Sequence, residues 1–389
     1  MNMHLLDMKT SSRYFFCFAI IITALITLII RNREAPKVIK SSFKYILIWD
    51  YKNFAPQYYF GFGQEYFIKY NCSFQNCFVT DDKNFFGDNL KGFDAITFNG
   101  RFIESLNEFQ LLQVNKKRYR HQKYVFLNME SAINYPVCKA NFDNFFNWRV
   151  TYRLDSDIPM TYFVILNMNG EIVGPKQDMK WVINDNNNAM GNITRNLNTK
   201  TKAAAWFVSN CKSRSRFKYV EKLQTQLKKY NLSVDIYGPC GHLKCPRYQH
   251  SRCLAMLKRD YYFYMALENT ITADYVTEKV LHGLQNDVVP IVRGGANYSR
   301  FLPPGSYLDS QEYSTKQLAA KMNFLMNSPL EYLEYFKWKS SYKYRDDAYK
   351  DAVCSFCEML NNQTIIKQQS VFKHLRRWWL PNFRHKCFF

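Results

Sequence analysis

Within this chain of 389 residues, an apolar and aromatic run from Tyr261 to Leu267 gives way at once to Glu268, Asn269 and Thr270. Asp274, Tyr275, Glu278 and Lys279 follow. A lone Glu-Lys pair is usually a solvated helix face. Here carboxylate, amide, phenol and ammonium gather behind a buried stretch, the kind of place where α/β sheets bind ligands. Glu130 follows the apolar run Tyr124 to Leu127 in the same manner, and a carboxylate at a strand end can take a proton as a general base. Asp155-Ser156-Asp157 has the D-x-D spacing of some metal sites, a spacing that is also common by chance. Cys354-Ser355-Phe356-Cys357 is half of a zinc site, a redox pair or two half-cystines, and no second C-x-x-C occurs.

These residues need elements to hold them. Tyr261 to Leu267 reads as a buried strand. Asp274 is a suitable helix cap, and Val276, Val280, Leu281 and Leu284 recur at helical spacing, which predicts a helix from Tyr275 to Asn286. Asp287 to Val292 is a second strand, closed by Gly294-Gly295. Such a strand–helix–strand unit puts its polar residues at the strand's C-terminal end and the helix's first turn, where open α/β sheets bind ligands and phosphate is favoured. Further strands are expected at Lys44 to Trp49, Phe93 to Phe98, Tyr124 to Leu127, Ala203 to Asn210 and Val234 to Tyr237. Helices are expected over Phe217, Val220, Leu223 and Leu227, and from Ser314 to Met326. Apolar strands separated by mixed segments suggest an α/β fold with parallel sheets.

The motifs together resemble the alpha-1,3-fucosyltransferases. That family carries a strand ending F-E-N, then D-Y-V-T-E-K, then V-V-P. Glu268-Asn269, Asp274 to Lys279 and Val288-Val289-Pro290 match directly, with Leu267 in place of Phe. The run Val125 to Pro136 resembles the family's acceptor-side motif, in which a strand ends E-S-P; Ala132 replaces the proline and Glu130 is kept. Asn147-Trp148 and Tyr152-Arg153-Leu154-Asp155-Ser156-Asp157-Ile158 resemble N-W-x-x-x-Y-R-x-D-S-D-I, with Leu154 where a second arginine is common. Trp206 to Cys211 and Asp235 to Gly241 also resemble family runs, so the likeness spans roughly residues 44 to 360.

The resemblance implies two Rossmann-like domains facing a cleft, the GT-B type. It implies inverting transfer of L-fucose from GDP-fucose to a hydroxyl of a glycoprotein or glycolipid glycan, the 3-OH of N-acetylglucosamine being the expected position. Glu130 would be the base. Lys279 and Arg216 would stabilise charge on the diphosphate; the loop before Arg216 is one residue short of the family pattern, so Arg214 competes for that place. Glu278 would accept hydrogen bonds from the donor's ribose or face the positive sugar, and Tyr275 and Asn269 would line the nucleotide pocket. Asp155 and Asp157 would bind no metal, no cofactor is held tightly, and a divalent cation (Mn or Mg) would stimulate only by screening pyrophosphate. Cys354 and Cys357 would bridge to Cys72 and Cys77. Two rival readings are an inactive glycan-binding or scaffolding protein of the same fold and a transferase for another nucleotide sugar.

Composition sets the wider frame. Lysine and arginine exceed aspartate and glutamate by 53 to 32, giving +21, a balance that suits an anionic partner. Tyr14 to Ile30 has no charge and is bounded by Arg13 and Arg31. It reads as an uncleaved transmembrane signal-anchor in preference to a cleaved signal, since no small-residue cleavage site follows. Five sequons, at Asn71, Asn192, Asn231, Asn297 and Asn362, and eleven cysteines, ten of them after the anchor, point to an oxidising lumen. These features argue against a nucleic-acid partner. The expected organisation is a cytoplasmic tail (1–13), an anchor (14–30) and a stem (31–43). An acceptor-side domain (44–200), a GDP-fucose-binding domain (201–365) and a basic aromatic tail (366–389) follow. The expected location is the Golgi membrane, single-pass type II, with the catalytic part luminal.

Overall fold

The computed structural model describes residues 43–387, apart from 108–113, 115–117, 184–193 and 195–196. The expected cytoplasmic tail, the anchor, nearly all of the stem, the Asn192 sequon and Cys17 lie outside the described residues. Among the described residues no helix is long and apolar enough to cross a membrane.

Continuous apolar runs form strands buried on both faces, as parallel sheets covered by helices require. The first half supplies β1 (Lys44–Trp49), β2 (Cys77–Thr80), β3 (Phe85–Asp88), β4 (Ala95–Asn99), β5 (Lys123–Asn128), β6 (Trp148–Thr151) and β7 (Ile158–Pro159). Six of them make one sheet in the order β2-β1-β4-β5-β6-β7, parallel throughout. β8 (Val164–Asn167) and β9 (Ile172–Gly174) come next. The second half supplies β10 (Lys202–Phe207), β11 (Val234–Tyr237), β12 (Tyr261–Leu267), β13 (Val289–Arg293) and β14 (Leu308–Asp309). These form a second parallel sheet in the order β11-β10-β12-β13-β14. β15 (Tyr342–Arg345) then pairs antiparallel with β8, which also pairs with β9.

Both parallel sheets reverse their strand order once. The chain leaves β1 for β2 on one side and returns to β4 on the other; β10 stands likewise between β11 and β12. Crevices outside the C-terminal ends of the strands at such points are where this architecture binds ligands. The expected helix after β10 is Arg214–Leu227, and it buries Val220, Leu223 and Leu227 against Trp206, Phe263 and Met265. The helix Thr315–Met326 starts at Ser314, whose side chain forms a capping box with Gln317.

The chain returns to the first sheet before residue 365. Helix Ala348–Asn361 packs Ala352, Val353, Phe356 and Leu360 among Ile46, Ile48, Val125 and Trp148. Its two cysteines are bridged to that half of the molecule, Cys354 to Cys72 and Cys357 to Cys77. Three more bridges, open in the sequence, are Cys138–Cys387, Cys211–Cys240 and Cys245–Cys253. The four sequon asparagines among the described residues, Asn71, Asn231, Asn297 and Asn362, are exposed.

Candidate functional site

The segment after β12 is folded around one buried carboxylate. Glu268 is 3% exposed. Its Oε1 accepts the Thr277 amide and hydroxyl, each at 2.9 Å, and its Oε2 accepts the Lys279 ammonium at 2.9 Å. Lys279 also donates to Thr277 Oγ1 at 2.7 Å and faces Glu278 Oε1 at 3.7 Å. The expected helix from Tyr275 is corrected here. Thr277 is drawn onto Glu268, so the helix runs only over Lys279–Leu284. Asp274 is not its cap. It sits at φ 57°, its carboxylate accepts the Leu154 amide at 3.3 Å, and Arg300 lies 3.6 Å away.

Arg216 lies behind the same hub, 5% exposed. Its guanidinium donates to the Leu267 carbonyl at 3.2 Å and the Asn210 carbonyl at 3.1 Å. Burial lowers its pKa, and Glu268 partly opposes that. Burial also disfavours the Lys279 ammonium, but Glu268 and Glu278 outweigh it, so its pKa is raised and the charge is held. Arg214, the competing arginine, is exposed in the first turn of its helix. Arg216 Nε, Asn269 Oδ1 and Thr270 Oγ1 are buried with no hydrogen-bond partner. Unmet polar atoms at the ends of β10 and β12 are what a polar ligand would satisfy.

Glu278 points the other way, into an open pocket of about 680 Å³ lined by Phe207, Tyr237, Pro239, His250, Glu278 and His282. That volume falls within the range of small-molecule sites, roughly 300–1,000 Å³. Surrounding protein opposes ionisation of Glu278, yet Lys279 and a backbone amide hold its pKa below the usual value. His282 donates to or accepts from Tyr264 Oη at 2.9 Å. Burial pulls its pKa down to about 4, so it is a neutral wall of the pocket.

Glu130 stands at the C-terminal end of β5, two residues past its last strand residue. Tyr275, from the second half of the chain, donates its hydroxyl to Glu130 Oε2 at 3.4 Å, and Arg101 Nη1 lies 3.9 Å from Oε1. Burial, then the Glu130 charge, raise the Tyr275 pKa, so it remains a neutral donor. Arg101 is packed over the rings of Phe54 and Tyr135 at 4.6 and 4.9 Å. The structure thus joins Tyr275 to Glu130, and Lys279 to Glu268 and Glu278, through one short segment after β12. Arg216 lies beneath it.

Asp155 and Asp157 are held by arginines. Asp155 pairs with Arg153 at 2.8 Å and accepts the Trp378 indole at 2.8 Å; Asp157 pairs with Arg149 at 2.8 Å. Sequence reasoning missed Arg101, His282 and the hub role of Glu268. Arg101 follows the end of β4 just as Glu130 follows β5, and His282 is one helical turn from Glu278. Both signals were present but lay outside the motifs.

The fucosyltransferase N-terminal model matches residues 41–163, and the C-terminal model of glycosyltransferase family 10 (fucosyltransferase) matches residues 197–378. The chain is 34% identical over 327 residues to an alpha-(1,3)-fucosyltransferase C of Drosophila melanogaster, covering 82% of this chain and 73% of that protein. It is 32% identical over 252 residues to a human 4-galactosyl-N-acetylglucosaminide 3-alpha-L-fucosyltransferase, covering 64% of this chain and 60% of that protein. Among solved structures it resembles an alpha1,3-fucosyltransferase (TM-score 0.52, 15% identity, 85% of this chain and 94% of that one). An alpha1,3-fucosyltransferase with GDP-fucose also matches (TM-score 0.50, 14% identity, 85% and 92% covered). These structural likenesses speak for the two-sheet fold. With the matched relatives and both family models, they lead to one conclusion: the chain belongs to glycosyltransferase family 10 and is a fucosyltransferase.

Proposed function

We propose that this enzyme transfers L-fucose from GDP-fucose, with inversion, to the 3-OH of N-acetylglucosamine in a glycoprotein or glycolipid glycan. The observation that carries the reading is the Tyr275–Glu130 contact, which sets a carboxylate at the end of β5 beside the cation-bearing segment after β12. In this reading Glu130 removes the acceptor hydroxyl proton as that oxygen attacks the anomeric carbon. The bond to the diphosphate breaks on the opposite face. Charge growing on the leaving diphosphate is met by Lys279, fixed by Glu268, and by the buried charge of Arg216. Glu278 holds the nucleotide's hydroxyl groups in the pocket it lines, which neither Asn269 nor Tyr275 borders. A divalent cation would act only by screening the diphosphate. A relative named as an alpha-(1,3)-fucosyltransferase, and a neighbour solved with GDP-fucose, support the donor. The uncharged 14–30 segment, the sequons and the disulfides support a Golgi membrane protein of type II with a luminal catalytic part.

The test is a donor competition. The full chain, offered GDP-fucose, GDP-mannose and UDP-galactose with a glycan array, should use GDP-fucose by a wide margin. Equal or better use of a UDP-sugar would overturn the donor assignment.

A further inference from the structure

We propose that the C-terminal segment, residues 368–387, is a positioning element of the transfer site and acts through Trp379; this rests on the reading of Glu130 as the base. The segment supplies no group to the chemistry above, yet it is strapped across the first sheet. Phe372 exchanges backbone hydrogen bonds with Phe146 and Asn144 at 2.7 and 3.0 Å. Arg376 pairs with Asp143 at 2.8 Å. The far end is clamped by the Cys138–Cys387 bridge.

Trp379 sits at the centre of this strap, 1% exposed. It touches the loop that carries Glu130 by two routes. Directly, its indole N–H donates to the Tyr135 carbonyl at 2.8 Å, and the Tyr135 hydroxyl accepts from Arg101 at 2.9 Å. Through Tyr152, whose ring lies 5.5 Å away, it reaches both Ala132 and Tyr275. The Tyr152 hydroxyl accepts the Ala132 amide at 3.2 Å, and its ring packs 4.9 Å from that of Tyr275. Residues 130–135 have no strand or helix to hold them. A rigid indole with its N–H satisfied is what fixes such a loop. Both family models end before Trp379.

The experiment compares Trp379→Ala, Glu130→Gln and the double variant in the full chain, with transfer turnover and GDP affinity measured separately. Trp379→Ala should lower turnover roughly 10- to 100-fold, the cost of displacing a catalytic group by about 1 Å. GDP affinity should stay within about twofold, since the loss lies in the transition state alone. Trp379→Phe, which keeps a ring beside Tyr152 and loses the N–H to Tyr135, should recover only part of the turnover. In the Glu130→Gln background Trp379→Ala should add almost nothing, because its effect runs through that carboxylate. Multiplying effects in the double variant, or GDP affinity falling in step with turnover, would overturn the proposal. Should Trp379→Ala fail to fold, Tyr152→Phe applies the same test at smaller amplitude by removing the hydroxyl that accepts the Ala132 amide and meets Thr272. Normal turnover in Glu130→Gln alone overturns the base assignment and the route through it. Normal turnover in Trp379→Ala beside a crippled Glu130→Gln overturns only the strap's role.

Discussion

The Tyr275 hydroxyl donates to Glu130 Oε2 at 3.4 Å across 145 residues of sequence. Tyr275 belongs to the segment that follows β12 in the second sheet, and Glu130 to the end of β5 in the first. The hydrogen bond ties the group proposed to take a proton to the elements proposed to hold the donor. Tyr275→Phe keeps the ring among Tyr152 and Tyr162 and removes the hydroxyl, which donates to Glu130 and also meets the Tyr162 hydroxyl. A bond to a charged group is worth about 1.5–3 kcal/mol when buried, and Glu130 is partly open to water, so turnover should fall roughly 3- to 30-fold. Steady-state kinetics with both substrates varied should show this with the GDP-fucose KM little changed.

Glu130→Gln keeps the shape and removes the base. Turnover should fall roughly 10²- to 10⁴-fold while GDP affinity holds. Isothermal titration with GDP beside the kinetic assay separates the two. Near-normal turnover would place the base elsewhere.

Lys279→Ala should behave differently, because it removes the partner of a buried carboxylate. Glu268 is 1% exposed at the side chain, and stranding a buried charge costs about 3–5 kcal/mol. Both stability and GDP affinity should therefore drop. Adding Glu268→Gln should restore much of the stability and little of the affinity. Arg216→Ala should weaken GDP binding as well. If Arg214→Ala is the damaging change instead, the exposed arginine is the phosphate ligand. Denaturation midpoints and GDP titrations on the four variants decide this.

His282 predicts an acid-side loss of stability. In the unfolded chain its imidazole takes a proton near the usual pKa of 6.5, and in the folded chain only near 4, because it is buried. Between those values the unfolded state binds more protons. Stability is therefore full above pH 6.5 and is lost as the pH falls toward 4, by up to about 1.4 kcal/mol per pH unit. His282→Gln should flatten that limb between pH 6.5 and 4.5. Unfolding midpoints at a series of pH values would show an unchanged slope if this histidine contributes nothing.

The bridges Cys72–Cys354 and Cys77–Cys357 span 282 and 280 residues. Either one alone closes that loop, and the second then closes only a few residues more. Losing one should cost about 2–3 kcal/mol, and losing both about 7 in the chain-entropy model, with Cys138–Cys387 still closed. Thermal unfolding of Cys354→Ser, Cys357→Ser and the double variant should show this more-than-additive pattern.

Much of the site is legible in the sequence because it is local. The run from Glu268 to Lys279 contains both the carboxylate and the ammonium that it folds around, and Glu130 is marked by a strand-end carboxylate within a motif that resembles the family's. The α/β class follows from apolar strands separated by mixed segments. What the sequence misjudges is settled by side chains it does not rank. Asp274 has a good capping side chain, but a buried Glu268 without partners would cost more than a lost cap, so the carboxylate takes the Thr277 amide and the helix starts later. Arg216 against Arg214 is a question of which side of a helix faces the hub, and one residue of loop length decides it. Arg101 and Trp379 carry no motif, and the motif that holds Tyr152 gives it no role. They matter only because tertiary packing brings the ends of β4 and β5, the segment after β12 and the C-terminal strap together. Contacts across hundreds of residues are fixed by which apolar faces must be buried together, and one-dimensional spacing does not record that.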